Sequence, residues 1–213
     1  MAGIVVIGAG PGIGAAVARR FAREGFGVAS VARQRRDLGV DAVTHVADVG
    51  DEVSLRQALD SVTEDQGLPD VVVYNAAAIR RDAPGELDTA EHLRLWRVNV
   101  LGAYTAAAHL APRMAERGRG TFLTTGGMPE PKAAYTSLSL GKAGLRTVTA
   151  LFAEQYPTLH FATVTVARHR REGHGVRPGR HRRALLAPAH PAHLAAGSAD
   201  HDQPQSRVKQ PAR

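Results

Sequence analysis

The sequence contains no cysteine, which excludes disulfides, thiolate metal sites and thiol nucleophiles and leads us to expect a reducing, cytoplasmic setting. Aromatic residues are few and unevenly placed: the five Phe, four Tyr and one Trp all precede position 168, as does every Ile. No run of 18 apolar residues occurs, so no membrane-spanning helix is expected. The apolar opening from Met1 to Gly14 lacks a basic leader and is broken by glycines, so it reads as neither signal peptide nor anchor. Acidic residues are scarce in one region only. Residues 168–213 hold 3 of the 20 Asp+Glu but 10 of the 27 Lys+Arg, so the whole net charge of +7 lies there. The body before it is neutral, which argues against a basic nucleic-acid recognition face on the folded part.

What is present is a regular alternation of apolar runs and helical patterns. Gly3 to Gly8 is a β-branched run stopped by glycines, and Gly12 to Glu24 then carries Ile13, Val17 and Phe21 at four-residue spacing. Val28 to Ala32 and Ala42 to Val46 read as strands, and Asp51 to Gln66 as a helix with acid in its first turn. Val71 to Tyr74 has the continuous apolar character of a strand buried on both faces. Thr89 to Arg117 reads as helix, bent near Gly102 and Pro112, followed by strand (Thr121 to Thr125), helix (Tyr135 to Tyr156) and strand (Phe161 to Ala167). This order predicts a three-layer α/β domain over residues 1–167, a doubly wound parallel sheet of the Rossmann type.

Gly8-Ala9-Gly10-Pro11-Gly12-Ile13-Gly14 falls between the first strand and the first helix. Glycines there let a pyrophosphate approach the backbone, while the helix start offers free N–H groups and the positive end of its dipole. At the end of the second strand, where an acidic residue would bind a ribose 2′-hydroxyl, stands Arg33, with Arg35 and Arg36 close behind. A basic residue there favours a 2′-phosphate, hence NADP(H) rather than NAD.

These features together resemble the short-chain dehydrogenase/reductase family over Gly3 to Ala167. The glycine loop is similar to the family's Gly8-x-x-x-Gly12-x-Gly14 cofactor element, with Gly10 and Ile13 inside it. Asp48, in Ala-Asp-Val with Val49, stands where the family's aspartate meets the adenine. Asn75-Ala76-Ala77-Ala78 resembles its Asn-Ala-Gly element, and Asn99 in Val-Asn-Val its helix asparagine. The resemblance implies hydride exchange between a nicotinamide cofactor and a small carbonyl or alcohol. Asn75 and Ala76 would then lie toward the adenine ribose, Lys142 at the nicotinamide ribose, and Thr125 near a substrate oxygen. The family's acid/base tyrosine precedes its lysine by four residues, a spacing that puts both on one helix face. Here that position is Leu138, 13 residues after Thr125. Tyr135, seven residues before Lys142, or water is left as proton donor, and a cofactor-binding protein without turnover is the alternative reading.

After the sixth strand the family has a turn over the nicotinamide, a helix and a seventh strand that often supports homo-oligomerisation. Arg168-His169-Arg170-Arg171 stands there instead, so the sheet is expected to lack its last strand. Residues 168–213 are rich in Arg, His and Pro without amphipathic period, which predicts disorder. Codons permitted for residues 168–193 admit a one-nucleotide shift whose translation carries acids and aromatics, so an out-of-frame origin is one reading of this tail. A basic arm for nucleic acid is the functional alternative. His92, His109 and His160 have no metal-ligand spacing.

Overall fold

The computed structural model describes residues 1–165. The expectations for residues 168–213, including disorder, the out-of-frame origin, the basic arm and the missing strand, lie outside the described residues.

Six parallel strands form one sheet in the order β3-β2-β1-β4-β5-β6. They are β1 (Gly3–Ile7), β2 (Gly27–Ala32), β3 (Val43–Val46), β4 (Val71–Tyr74), β5 (Thr121–Gly126) and β6 (His160–Thr165). The helices are α1 (Ile13–Arg23), α2 (Glu52–Gln66), α3 (Thr89–Trp96), α4 (Gly102–Glu116) and α5 (Thr136–Gln155), with a π-helical turn at Arg97–Leu101 between α3 and α4. Strand order reverses between β1 and β4, so the crevice for a ligand opens beyond their carboxyl ends.

The period of two along each strand divides the apolar residues between two cores. Val5, Ile7, Val31, Val72 and Tyr74 face the layer of α2 and α4, where Leu55, Leu59, Leu110 and Met114 are buried. Ile4, Val6, Val28 and Val73 face the other way, toward Val17, Ala18 and Phe21 of α1. No helix joins β2 to β3. Leu38 anchors that connection in the second core, its carbonyl accepting from Arg19 Nη1 at 3.1 Å.

The Thr89 to Arg117 segment is α3, the π-turn and α4 in succession: its irregularity ends at Leu101, beside Gly102, and Pro112 lies inside α4. The Val98 carbonyl in that turn accepts from the Tyr74 hydroxyl, buried beneath it. Tyr135 is not on the face of α5 but at its N-cap, with φ −148°. Its ring therefore does not follow the helical spacing toward Lys142.

Candidate active site

The residues singled out from sequence gather at the carboxyl edge of the sheet. Gly8 follows β1, Arg33 follows β2, Asp48 lies just past β3, Asn75 follows β4 and Thr125 is near the end of β5. Register carries them to similar height, because Ile7 pairs with Val31 and with Tyr74, and Tyr74 with Thr124.

Gly8 has φ +89°, and a Cβ there would collide with the backbone of Ala76, so glycine is required. Asn75 closes the same junction: its Nδ2 donates to Gly8 O at 2.8 Å and its N–H to Ile7 O at 2.7 Å. The loop is thus held open by β4. Around Gly10 and Gly12 no atom lies within 4 Å of where a Cβ would be. Among the described residues the N–H groups of Gly12, Ile13 and Gly14 have no intramolecular acceptor. Open space with unpaired donors at a helix start fits a pyrophosphate.

Arg33, Arg35 and Arg36 are exposed and make no hydrogen bond or ion pair among the described residues. Asp48 is exposed beside half-buried Val49, and its Oδ1 accepts from Gly50 N–H at 2.9 Å, which fixes the turn after β3.

Asn99 is fully buried in the π-turn. Its Oδ1 accepts from Ala78 N–H at 2.8 Å and its Nδ2 donates to Ala78 O at 3.1 Å, so the side-chain amide pins the segment after β4. Gly141 of α5 packs against it, where a Cβ would come within 2.7 Å of Asn99 Cβ. That close approach sets α5 on the π-turn and carries Leu138 and Lys142 to the site.

Leu138 and Lys142 are both buried, one turn apart on α5. Lys142 Nζ donates to Thr125 O at 2.7 Å, and its pKa is lowered to about 8, first by burial and then by the nearby Arg146 cation. Thr125 Oγ1 makes a long 3.4 Å bond to Tyr74 O. Tyr74 is no acid/base: burial, reinforced by the Asp48 charge, raises its pKa far above the ordinary phenol value. Tyr135 lies under Arg81, whose Cζ is 5.7 Å from the ring centroid.

Two contributors were not read from the sequence. Asp82, 2% exposed, accepts from Ser137 N–H at 2.9 Å and Ser137 Oγ at 3.0 Å, capping the start of α5 from a distant segment. Arg146 Nη1 lies 3.3 Å from Gly127 O and 3.4 Å from Met128 O in the β5–α5 connection. Its spacing of four from Lys142 was the available signal. Among the described residues no group of His, Asp and Glu could hold a metal, and no helix is long and apolar enough to cross a membrane. His109 instead bridges Asp60 and Arg56, at 2.7 Å and 3.1 Å.

The short chain dehydrogenase family matches residues 2–167, and the chain belongs to that family. It is 33% identical over 177 residues to an uncharacterized oxidoreductase of Thermotoga maritima, covering 76% of this chain and 68% of that one. It is also 33% identical over 164 residues to cis-4-hydroxycyclohexanecarboxylate dehydrogenase of Sinomonas cyclohexanicum, covering 71% and 66%. The chain thus spans about two thirds of the length of these relatives. A metagenomic short-chain oxidoreductase in complex with NADP superposes with TM-score 0.73 at 25% identity, over 78% of this chain and 82% of that one. The alcohol dehydrogenase of Thermococcus sibiricus, complexed with 5-hydroxy-NADP, gives 0.70 at 27%, over 76% and 74%.

Proposed function

We propose that this protein binds NADP(H) and exchanges hydride with a small carbonyl or alcohol, acting in the cytoplasm. The carrying observation is the cradle at the start of α1, where three N–H groups have no acceptor among the described residues and the positions a Cβ would take at Gly10 and Gly12 are open. In this reading Gly8, Gly10, Gly12, Ile13 and Gly14 admit the pyrophosphate. Arg33 takes the 2′-phosphate, its exposed guanidinium having no partner among the described residues to give up. Asp48 and Val49 face the adenine, Asn75 and Ala76 the adenine ribose side, and Lys142 the nicotinamide ribose through N–H groups not used by Thr125 O. The NADP-bound structural neighbour supports the preference for the phosphorylated cofactor.

The bound nicotinamide supplies hydride chemistry, and the chain's residues place the substrate and move its proton. Thr125 orients the substrate oxygen by exchanging its long bond to Tyr74 O for a better one. Asn99 acts by position, since both ends of its amide are committed to Ala78.

Titration of NADPH fluorescence tests the binding half, and a carbonyl panel the chemical half. Absence of saturable binding at high micromolar NADPH would overturn the proposal. Saturable binding without turnover on any carbonyl would select the non-catalytic reading that Leu138 invites.

A further inference from the structure

We infer that Lys142 is itself the proton donor of this site, with Arg146 as its positioning residue. The inference rests on the NADP(H)-dependent reading above and deepens it.

Leu138 fills the turn before Lys142 with a buried apolar side chain, so α5 carries no phenol one turn before Lys142. Among the described residues, neighbouring side chains that could give a proton are committed elsewhere: Tyr74 donates to Val98 O, Asn99 Nδ2 to Ala78 O and Ser137 Oγ to Asp82. Thr125 Oγ1, whose bond to Tyr74 O is a long 3.4 Å, can turn to hydrogen-bond the substrate oxygen, but an aliphatic hydroxyl is too weak an acid to surrender its proton. The Lys142 ammonium carries three N–H groups and has one described acceptor, Thr125 O. Tyr135 sits at the N-cap of α5 under Arg81, outside this group.

The surroundings make that proton transferable. On α5 the only charged neighbour one turn on is Arg146. β5 offers the Thr125 carbonyl, and the residues that contact Thr125 and Gly141, Tyr74 of β4 and Asn99 of the π-turn, carry neutral side chains. Among the described residues no carboxylate pairs with Lys142, and Asp82 is occupied by Ser137 one turn earlier. A buried ammonium beside a second cation and without an anion gives up its proton readily, and its pKa of about 8 agrees. Arg146 also reaches the carbonyls of Gly127 and Met128. Met128, with φ +48°, is the one non-glycine residue of positive φ among those described. Lys142 and Arg146 thus hold positions 125, 127 and 128 from a single helix face.

In carbonyl reduction the carbon gains a hydride and a new C–H bond, while the π pair moves to oxygen. Lys142 Nζ gives that oxygen its proton. The neutral amine then takes a proton from water, so carbonyl, hydride and one solvent proton become the alcohol.

The test combines turnover, cofactor binding and a direct titration. Reduction by the native chain should be flat at low pH and fall above about pH 8 as Lys142 deprotonates. Lys142→Arg should keep NADPH binding within about threefold and lose at least about 100-fold in kcat. Arg146→Met should move the alkaline limb up by about half a pH unit or more, and the ¹⁵N resonance of Lys142 Nζ in the NADPH complex should move with it. Tyr135→Phe should leave the profile in place. The inference is overturned by an active Lys142→Arg, by an alkaline limb unmoved in Arg146→Met, by loss of turnover in Tyr135→Phe, or by NADPH binding without native turnover. If Lys142→Arg does not fold, the Arg146→Met profile and the Nζ titration still decide. Failure to bind NADPH at all would instead strike the proposed function.

Discussion

Asp82 and Ser137 are 55 residues apart in sequence, yet the carboxylate of one takes both the backbone N–H and the hydroxyl of the other. The pair ties the segment after β4 to the first turn of α5, the helix that carries Leu138 and Lys142. Asn99 pins the same segment three residues past Asn75, at Ala78. The two contacts make the wall of the site one unit with its floor.

Asp82→Ala should therefore destabilise the protein by about 1–3 kcal/mol, because it removes a buried cap and leaves Ser137 without its acceptor. Urea denaturation measures this directly. Asp82→Asn keeps one acceptor and should cost less; equal and negligible losses in both variants would show that the cap contributes nothing.

Gly12 and Gly8 should separate cofactor binding from folding. A Cβ at Gly12 meets open space, so Gly12→Val should leave the melting temperature within a few degrees and weaken NADPH binding at least about tenfold by filling the cradle. Gly8→Val forces a β-branched residue to φ +89° against Ala76, and the chain should then fold poorly. A Gly12→Val protein with native NADPH affinity would move the pyrophosphate elsewhere.

The contrast between these positions also shows what sequence could and could not convey. The strands were legible because parallel strands buried on both faces are continuous apolar runs, as in Val71 to Tyr74. The glycine loop was legible because one short segment holds all its parts. Asp82 was not, since Arg-Arg-Asp-Ala-Pro reads as a polar loop and its partner is distant in sequence. The π-turn at Arg97–Leu101 adds one residue to a helical turn without disturbing the apolar pattern, so the sequence points to an irregularity near Gly102 but not to its π form. Tyr135 was placed by helical arithmetic that an N-cap does not obey.

Arg33 sets a cofactor expectation. Arg33→Ala should raise the Kd for NADPH about tenfold or more and leave that for NADH nearly unchanged, because only the 2′-phosphate distinguishes them. Fluorescence titration with both nucleotides measures the ratio. A parallel loss for both would assign Arg33 to another part of the cofactor.

Leu138→Tyr places a phenol one turn before Lys142, within reach of its cation. At pH 9, where Lys142 is mostly neutral, turnover should rise at least about tenfold, since general acid catalysis contributes on the order of 10²–10⁴. The larger side chain should cost about 1–3 kcal/mol of stability in so tight a place. A stable Leu138→Tyr protein with unchanged turnover at every pH would mean that position 138 does not face the reacting atoms.

Lys142 should leave its own mark on stability. The unfolded chain keeps the Lys142 proton up to the ordinary value of 10.5, whereas the folded chain releases it at about 8. Between those values the unfolded state binds more protons, so this residue makes stability rise with pH, by at most about 1.4 kcal/mol per pH unit. Below pH 8 both states hold the proton, and the burial of the charge is a constant cost; above 10.5 both have lost it and the cost is gone. Lys142→Met removes the titrating group, fills the pocket with an apolar chain of similar length and should flatten the slope between pH 8 and 10. Urea denaturation of both proteins across that range, referred to the difference between them so that other titrations cancel, isolates the effect. A difference that does not change with pH would show that Lys142 keeps its proton as tightly folded as unfolded, and the proton transfer assigned to it would lose its physical basis.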